Sequence, residues 1–123
     1  MILLRNVTKR YPNGHEALSR INLSLDRGAM AFLTGHSGAG KSTLLKLISL
    51  IERPSRGQIV VNGHNLESLS ARQVPYFRRQ IGIIFQDHHL LHDRSVFDNV
   101  ALPLVIQGYR QQEIARRVRA ALD

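Results

Sequence analysis

One segment constrains this chain more than any other, the glycine-rich run Gly35-His-Ser-Gly-Ala-Gly-Lys-Ser42. It satisfies the pattern Gly-x-x-x-x-Gly-Lys-Ser of phosphate-binding loops. A short apolar run precedes it, and apolar residues at helical spacing follow it. Glycines permit backbone angles that a Cβ would forbid, so successive N–H groups can converge on an anion at a helix N-terminus. The pattern therefore predicts a nucleotide site. A glycine-rich turn without a ligand is the alternative, which the flanking elements disfavour.

Two polar side chains of this loop supply a positive charge and a metal ligand, which backbone N–H groups cannot provide. Lys41 offers a flexible cation to the β- and γ-phosphates, and Ser42 offers a hydroxyl oxygen to Mg²⁺. We expect the whole loop to take part in binding. Its residues are Gly35, His36, Ser37, Gly38, Ala39, Gly40, Lys41 and Ser42.

Composition and charge exclude several classes of protein. The 123 residues contain no cysteine, so a disulfide scaffold and a thiolate metal site are excluded. The richest apolar stretches, residues 44–51 and 101–106, are far below the roughly 18 residues of a membrane span. The first residues show no export signal, so we expect a cytoplasmic protein.

The net charge of +8 would suit nucleic acid, anionic lipid or a phosphate ligand. No interleaved aromatic residues or recognisable readout helix support nucleic acid, which we do not expect as a partner. Arginines concentrate locally near the end of the chain, where we expect a solvated helix face. They are Arg110, Arg116, Arg117 and Arg119.

The order of elements predicts a mixed helix and strand fold. We expect strands at residues 2–7, 21–25, 30–34, 59–61 and 81–86. The runs at 30–34 and 81–86 are continuously apolar, which is typical of strands covered on both faces. We expect helices at residues 43–51, near Pro75, from Ser95 to about Leu102, and after Gly108, the last with Ile114, Val118, Ala121 and Leu122 on one face.

Tyr11, the phosphate loop and Gln86 occur in that order, with Gln86 at the end of an apolar run. Together with Ile51-Glu-Arg-Pro-Ser55 and Arg78-Arg-Gln-Ile-Gly82, they resemble the first half of an ABC-type ATPase domain, and most closely its bacterial cell-division members. The resemblance implies an α/β fold, an incomplete P-loop NTPase domain with an antiparallel β portion, parallel core strands and flanking helices. Residues 1–123 would be the N-terminal part of one nucleotide-binding domain, with the phosphate loop at 35–42, a Q-loop around 86 and the start of a helical subdomain at 95–123.

The resemblance also assigns roles to single residues. Tyr11 would stack on adenine, although a tyrosine in a turn is otherwise an ordinary surface residue. Thr43 would lie near the α-phosphate. Gln86 would reach Mg²⁺ and the attacking water, a role that suits an amide able to donate and accept. The implied cofactors are ATP and Mg²⁺, with Ser42 and Gln86 as metal ligands and with Lys41 and Gln86 as catalytic residues.

The implied partners are a second copy of the protein and a permease-like, FtsX-like integral membrane subunit. Such a complex would lie at the cytoplasmic face of the bacterial inner membrane, at the division site, and would couple ATP binding and hydrolysis to the membrane partner. A non-catalytic, nucleotide-dependent interaction module and another ABC transporter ATPase are the alternatives.

Two motifs of the family do not occur in the sequence, the Leu-Ser-Gly-Gly signature and an apolar run that ends in Asp-Glu. We therefore expect a truncated chain that hydrolyses little or no ATP by itself. Its apolar strand edges would be exposed, which predicts self-association or domain swapping.

A group of histidines and acids follows Gln86 and raises the question of a metal site. It consists of His88, His89 and His92 with Asp87 and Asp93. The adjacent His88 and His89 cannot both point the same way in an extended segment, so we expect loop residues near a partner interface instead of metal ligands.

Overall fold

The computed structural model describes all residues from Met1 to Asp123 and shows two compact units, Met1–Gly82 and Ile83–Asp123. The first unit contains a four-stranded sheet with the order β2-β1-β3-β4. Its strands are β1 (Ile2–Arg10), β2 (Glu16–Leu25), β3 (Arg56–Val61) and β4 (His64–Asn65), and every neighbouring pair is antiparallel. The antiparallel portion of the predicted fold is therefore confirmed, with longer strands than the sequence indicated.

A bulge in β1 keeps two core residues on the same face. Leu4 pairs with Leu23 and Val7 with Ile21, so β1 has one more residue than β2 between these pairs. Residues three apart in a regular strand point to opposite faces, but the extra residue restores the alternation. Asn6 takes up the irregularity with a φ of 49°. Leu4 and Val7 are both buried as a result.

Helix α1 (Lys41–Ile48) buries Leu44 and Leu47 in the core of the first unit. A 3₁₀ helix (Leu66–Ser68) and the short α2 (Val74–Arg78) add Leu66 and Phe77 to that core. The rest of the core comes from the sheet and the end of α1, namely Leu4, Val7, Leu18, Leu50, Ile59 and Val61. Both predicted helices of this unit are confirmed, although α1 ends three residues earlier than expected and leaves Ile51 exposed.

The strands predicted at residues 30–34 and 81–86 do not form in this structure, in which all paired strands are antiparallel. Neither segment forms a strand, and Phe32 and Ile84 are 84% and 93% exposed. A strand requires a neighbour for its N–H and C=O groups, and neither segment pairs with another in the described chain. Apolar side chains are exposed in both segments, although neither segment forms the strand edge that the sequence predicts.

The second unit contains two helices, α3 (Val96–Ile106) and α4 (Gln111–Leu122). The predicted cap is confirmed, since the Ser95 hydroxyl accepts a hydrogen bond from the Asp98 N–H at 3.0 Å. Ala101, Ile114 and Val118 form the core of this helix pair. No helix in the structure combines the length and the apolar character needed to cross a bilayer.

Two details of the second unit correct the sequence prediction. Helix α3 continues through Pro103 instead of ending before it. Proline removes one backbone hydrogen bond, but the packing of Ala101 and Leu104 against α4 outweighs that loss. In α4 the predicted apolar face is shorter than expected, since Ala121 and Leu122 are exposed. The arginines of α4 lie on its solvated face, as expected.

Candidate nucleotide-binding site

The phosphate loop ends where α1 begins, and the conformation at that junction requires glycine. Gly40 is the N-cap of α1 and has a φ of 93°, in the left-handed region. A Cβ added to Gly40 would lie 2.4 Å from the Ala17 carbonyl oxygen and 2.9 Å from the Leu18 side chain. The loop therefore passes against β2 with no room for a side chain at its last glycine.

The N-terminus of α1 has the character of an anion site. No side chain caps it, and its first turn contains no acidic residue. The first N–H groups of a helix have no partner within the helix, and the helix dipole places partial positive charge there. Ser42 is exposed in this first turn. These features fit the phosphates of a nucleotide.

Lys41 holds the loop closed on itself. Its ammonium group donates hydrogen bonds to the carbonyl oxygens of Gly35 at 2.6 Å and His36 at 2.7 Å. The Ala39 N–H also donates to the His36 carbonyl, at 3.1 Å. The cation is thus held at the mouth of the loop, where polyphosphate oxygens would compete for it.

Tyr11 and Thr43, which the sequence predicted separately, lie together in the structure. The Tyr11 hydroxyl is 3.2 Å from the Thr43 Oγ1 and donates a hydrogen bond to the Glu52 Oε2 at 2.9 Å. Thr43 belongs to the first turn of α1, two residues after Lys41. The Tyr11 ring, which is predicted to stack on adenine, is therefore linked through its hydroxyl group to the helix that follows the phosphate loop.

Sequence reasoning missed Glu52, although a signal was present. It is the only carboxylate between residues 27 and 66, the stretch that includes the loop, α1 and β3. Partial burial raises the pKa of Glu52, whereas the hydrogen bonds from Tyr11 and Lys46 lower it. The charges of Lys46 and Lys9 act in the same direction, so the pKa of Glu52 lies below its ordinary value of 4.5.

Gln86 lies in the second unit, whereas the other predicted site residues lie in the first. It is exposed and opens a turn at residues 86–89. In this turn the Phe85 and His89 rings stack at 4.1 Å, and the His89 Nε2 lies 2.8 Å from the Asp87 Oδ1. No group of three or more histidines and acids in the structure could hold a metal ion.

The loop offers Mg²⁺ few ligands of its own. Ser42, at the start of α1, offers a hydroxyl oxygen as a metal ligand, and the loop contains no carboxylate. Mg²⁺ commonly keeps several waters and takes few protein ligands besides the phosphates of its substrate. The Ser42 hydroxyl therefore fits a metal ion that arrives with a nucleotide.

A cleft of about 1150 Å³ in the first unit includes Tyr11 and Pro12 in its lining. Its other lining residues come from β1, β2 and residues 55–57. None belongs to the phosphate loop, so the helix N-terminus and Lys41, and not this cleft, define the candidate site.

Comparison with known proteins decides the family. The sequence profile of the ABC transporter family matches residues 18–123, which include the phosphate loop, α1 and both helices of the second unit. The chain belongs to the ABC transporter family. The predicted resemblance is confirmed.

Two curated ABC relatives illustrate how similar the sequences are. The cell division ATP-binding protein FtsE of Escherichia coli (strain K12) is 59% identical over 123 residues, which are 100% of this chain and 55% of the relative. The methionine import ATP-binding protein MetN 1 of Paraburkholderia xenovorans (strain LB400) is 48% identical over 126 residues, covering 100% of this chain and 37% of the relative. The chain thus spans about half of the length of the former and less of the latter.

A solved ABC structure confirms the fold. It is a dimeric, post-hydrolysis state of the ATP-binding cassette MJ0796 bound to ADP and Pi. The TM-score is 0.91 at 31% sequence identity, over 99% of this chain and 56% of that one. The described chain therefore has the fold of part of an ABC cassette.

Proposed function

We propose that the whole protein is the ATP-binding subunit of an ABC-type membrane complex that acts in bacterial cell division. The observation that carries the proposal is the 59% identity with a cell division ATP-binding protein across every residue of this chain. The loop geometry supports it, since Lys41 and the uncapped start of α1 suit a polyphosphate. The proposed partners are a second copy of the protein and an FtsX-like permease subunit.

In the proposed binding step, the ATP phosphates take the place of the Gly35 and His36 carbonyls as partners of the Lys41 ammonium. The first N–H groups of α1 donate to the phosphates, and Thr43 lies near the α-phosphate. Tyr11 offers its ring to adenine. Ser42 and Gln86 would hold Mg²⁺, which when bound would supply positive charge beside the phosphates. Gln86 orients the attacking water through its amide.

The same proposal gives the two units different tasks. Residues 1–123 form the N-terminal part of one nucleotide-binding domain, in which the first unit carries the phosphate loop. Gln86 and the turn at 86–89 form the Q-loop, and residues 95–123 begin the helical subdomain. The complex lies at the cytoplasmic face of the inner membrane, at the division site.

Complementation with the full-length protein tests the proposal. Cells depleted of the protein would receive wild type, Lys41→Ala or Arg119→Ala, which removes an exposed cation of α4. We expect filamentous growth with Lys41→Ala and normal division with wild type and Arg119→Ala. Normal division with Lys41→Ala, at equal protein levels, would contradict the proposed function. Full rescue by a variant that binds ATP without hydrolysing it would favour a non-catalytic interaction module.

A second candidate function is ATP-driven import, which the 48% identity with a methionine import ATP-binding protein favours. The same depleted cells distinguish the two functions. Loss of methionine uptake with normal cell length would support import, and filamentation with normal uptake would support cell division.

A further inference from the structure

The Tyr11 hydroxyl group contacts both the first turn of α1 and the segment that follows its last turn. At one end, that hydroxyl lies 3.2 Å from the Thr43 Oγ1, in the first turn. At the other end, it donates to the Glu52 carboxylate at 2.9 Å. The Glu52 N–H donates in turn to the Lys46 carbonyl at 3.2 Å, which fixes Glu52 to the last turn of the helix. Tyr11 therefore cannot shift along α1 without breaking one of these bonds.

The Glu52 carboxylate also contacts Lys9, whose ammonium group lies over one face of the Tyr11 ring. Glu52 lies 3.6 Å from the Lys9 ammonium and 3.3 Å from the Lys46 ammonium. Lys9 lies over the Tyr11 ring, 5.2 Å from its centroid, and also donates to the Arg53 carbonyl at 2.8 Å. Glu52 is 25% exposed and Lys9 16%, so water screens these contacts less than it screens fully exposed pairs.

We propose that Glu52 is a positioning residue, which holds the Tyr11 ring in register with the phosphate loop and thereby sets the affinity for the purine base of the nucleotide. This inference rests on the proposed function, in which Tyr11 stacks on the base. Glu52 touches no part of the nucleotide and acts only through Tyr11 and Lys9. Its removal leaves the phosphate contacts of Lys41 and α1 in place.

This separation makes a sharp test possible with two probes, Mg·ATP and Mg·tripolyphosphate, titrated calorimetrically into the full-length protein. Loss of the hydrogen bond to the carboxylate in Glu52→Ala is expected to weaken ATP binding about fivefold. Tripolyphosphate has no base, so its affinity should change by less than about twofold. Glu52→Gln keeps an oxygen that accepts from Tyr11 and should recover much of the ATP affinity. Glu67→Ala, an exposed acid of the same unit, is the matched control and should bind both probes like wild type.

The double variant Tyr11→Phe/Glu52→Ala tests whether Glu52 acts through the hydroxyl group. Once Tyr11→Phe has removed that group, Glu52→Ala should weaken ATP binding by less than about twofold more. Equal losses for both probes in Glu52→Ala, or full additivity in the double variant, would overturn the inference. If Glu52→Ala does not fold, Tyr11→Phe removes the same hydrogen bond and carries the same comparison of the two probes. Failure of the proposed function looks different, since wild type would then bind neither probe, or Tyr11→Ala would bind ATP as tightly as wild type.

Discussion

The Lys41 ammonium donates a hydrogen bond of 2.6 Å to the Gly35 carbonyl oxygen, so the last cation of the phosphate loop is tied to its first residue. One side chain therefore closes residues 35–41 into a ring. Because the same ammonium also donates to His36, the loop is shaped before any phosphate arrives. An ordered loop reduces the entropic cost of binding an anion, although the phosphates must displace these two carbonyls from the ammonium.

The junction between the loop and α1 gives the first prediction. Gly40→Ala combines a left-handed φ with a Cβ placed 2.4 Å from the Ala17 carbonyl oxygen. We expect the free energy of unfolding of the full-length protein, measured in urea, to fall by more than about 3 kcal/mol. Gly63→Ala has a similar φ of 83° but open space around its Cβ, and it should cost only about 1 kcal/mol. Equal losses for both variants would show that the clash with β2 is absent.

The second prediction concerns the charge cluster of α4. The hydrogen bonds from Arg116 and Arg117 lower the pKa of Glu113 from 4.5 to about 2. A lowered carboxyl pKa stabilises the folded state above about pH 4.5, and this contribution is lost as the pH falls towards 2. A carbon-13 titration should give a Glu113 midpoint well below 4.5, which Arg116→Ala/Arg117→Ala should return close to that value. A wild-type midpoint near 4.5 would mean that these ion pairs do not persist in solution.

The third prediction follows from the exposed apolar residues at 30–33. Met30 and Phe32 are 86% and 84% exposed, more than expected of apolar side chains in a stable monomer. We expect the 123-residue chain alone to self-associate in light scattering, and Met30→Ser/Phe32→Ser to reduce the association. Leu45→Gln, which changes one exposed apolar residue of α1, is the control and should not. A monodisperse wild-type monomer with two-state melting would contradict the prediction.

The fourth prediction concerns turnover by the 123-residue chain alone. Its sequence has Lys41, Ser42 and Gln86 but neither the signature motif nor an apolar run ending in Asp-Glu. Phosphoryl transfer to water needs several groups placed together. Phosphate release should therefore be no faster than with Lys41→Ala in the same chain. Robust turnover that depends on Lys41 would show that the chain holds a complete catalytic set.

Local signals in the sequence predicted much of this structure. The alternating residues of β2, the apolar spacing of α1 and the Ser95 cap all report on neighbours within a few residues. The phosphate loop was predictable for the same reason, since its shape depends on its own glycines and on Lys41. The ABC resemblance then supplied the family, which the comparison confirmed.

What the sequence could not predict depends on distant partners. The apolar runs at 30–34 and 81–86 have the composition of buried strands, but a strand forms only where another strand pairs with it. Glu52 was missed because its role depends on Tyr11, 41 residues away in the chain. The sequence predicts a helix end before Pro103, but the packing that carries α3 past this residue comes from α4.

The central claim is that residues 35–42 and the start of α1 bind the phosphates of ATP through Lys41. Calorimetric titration of the full-length protein with Mg·ATP tests it most directly, with Lys41→Ala and Arg119→Ala as variant and control. We predict saturable binding by wild type and Arg119→Ala, and an affinity at least about tenfold lower for Lys41→Ala, since a charged hydrogen bond contributes roughly 1.5–3 kcal/mol. Unchanged affinity in a correctly folded Lys41→Ala variant would contradict the claim.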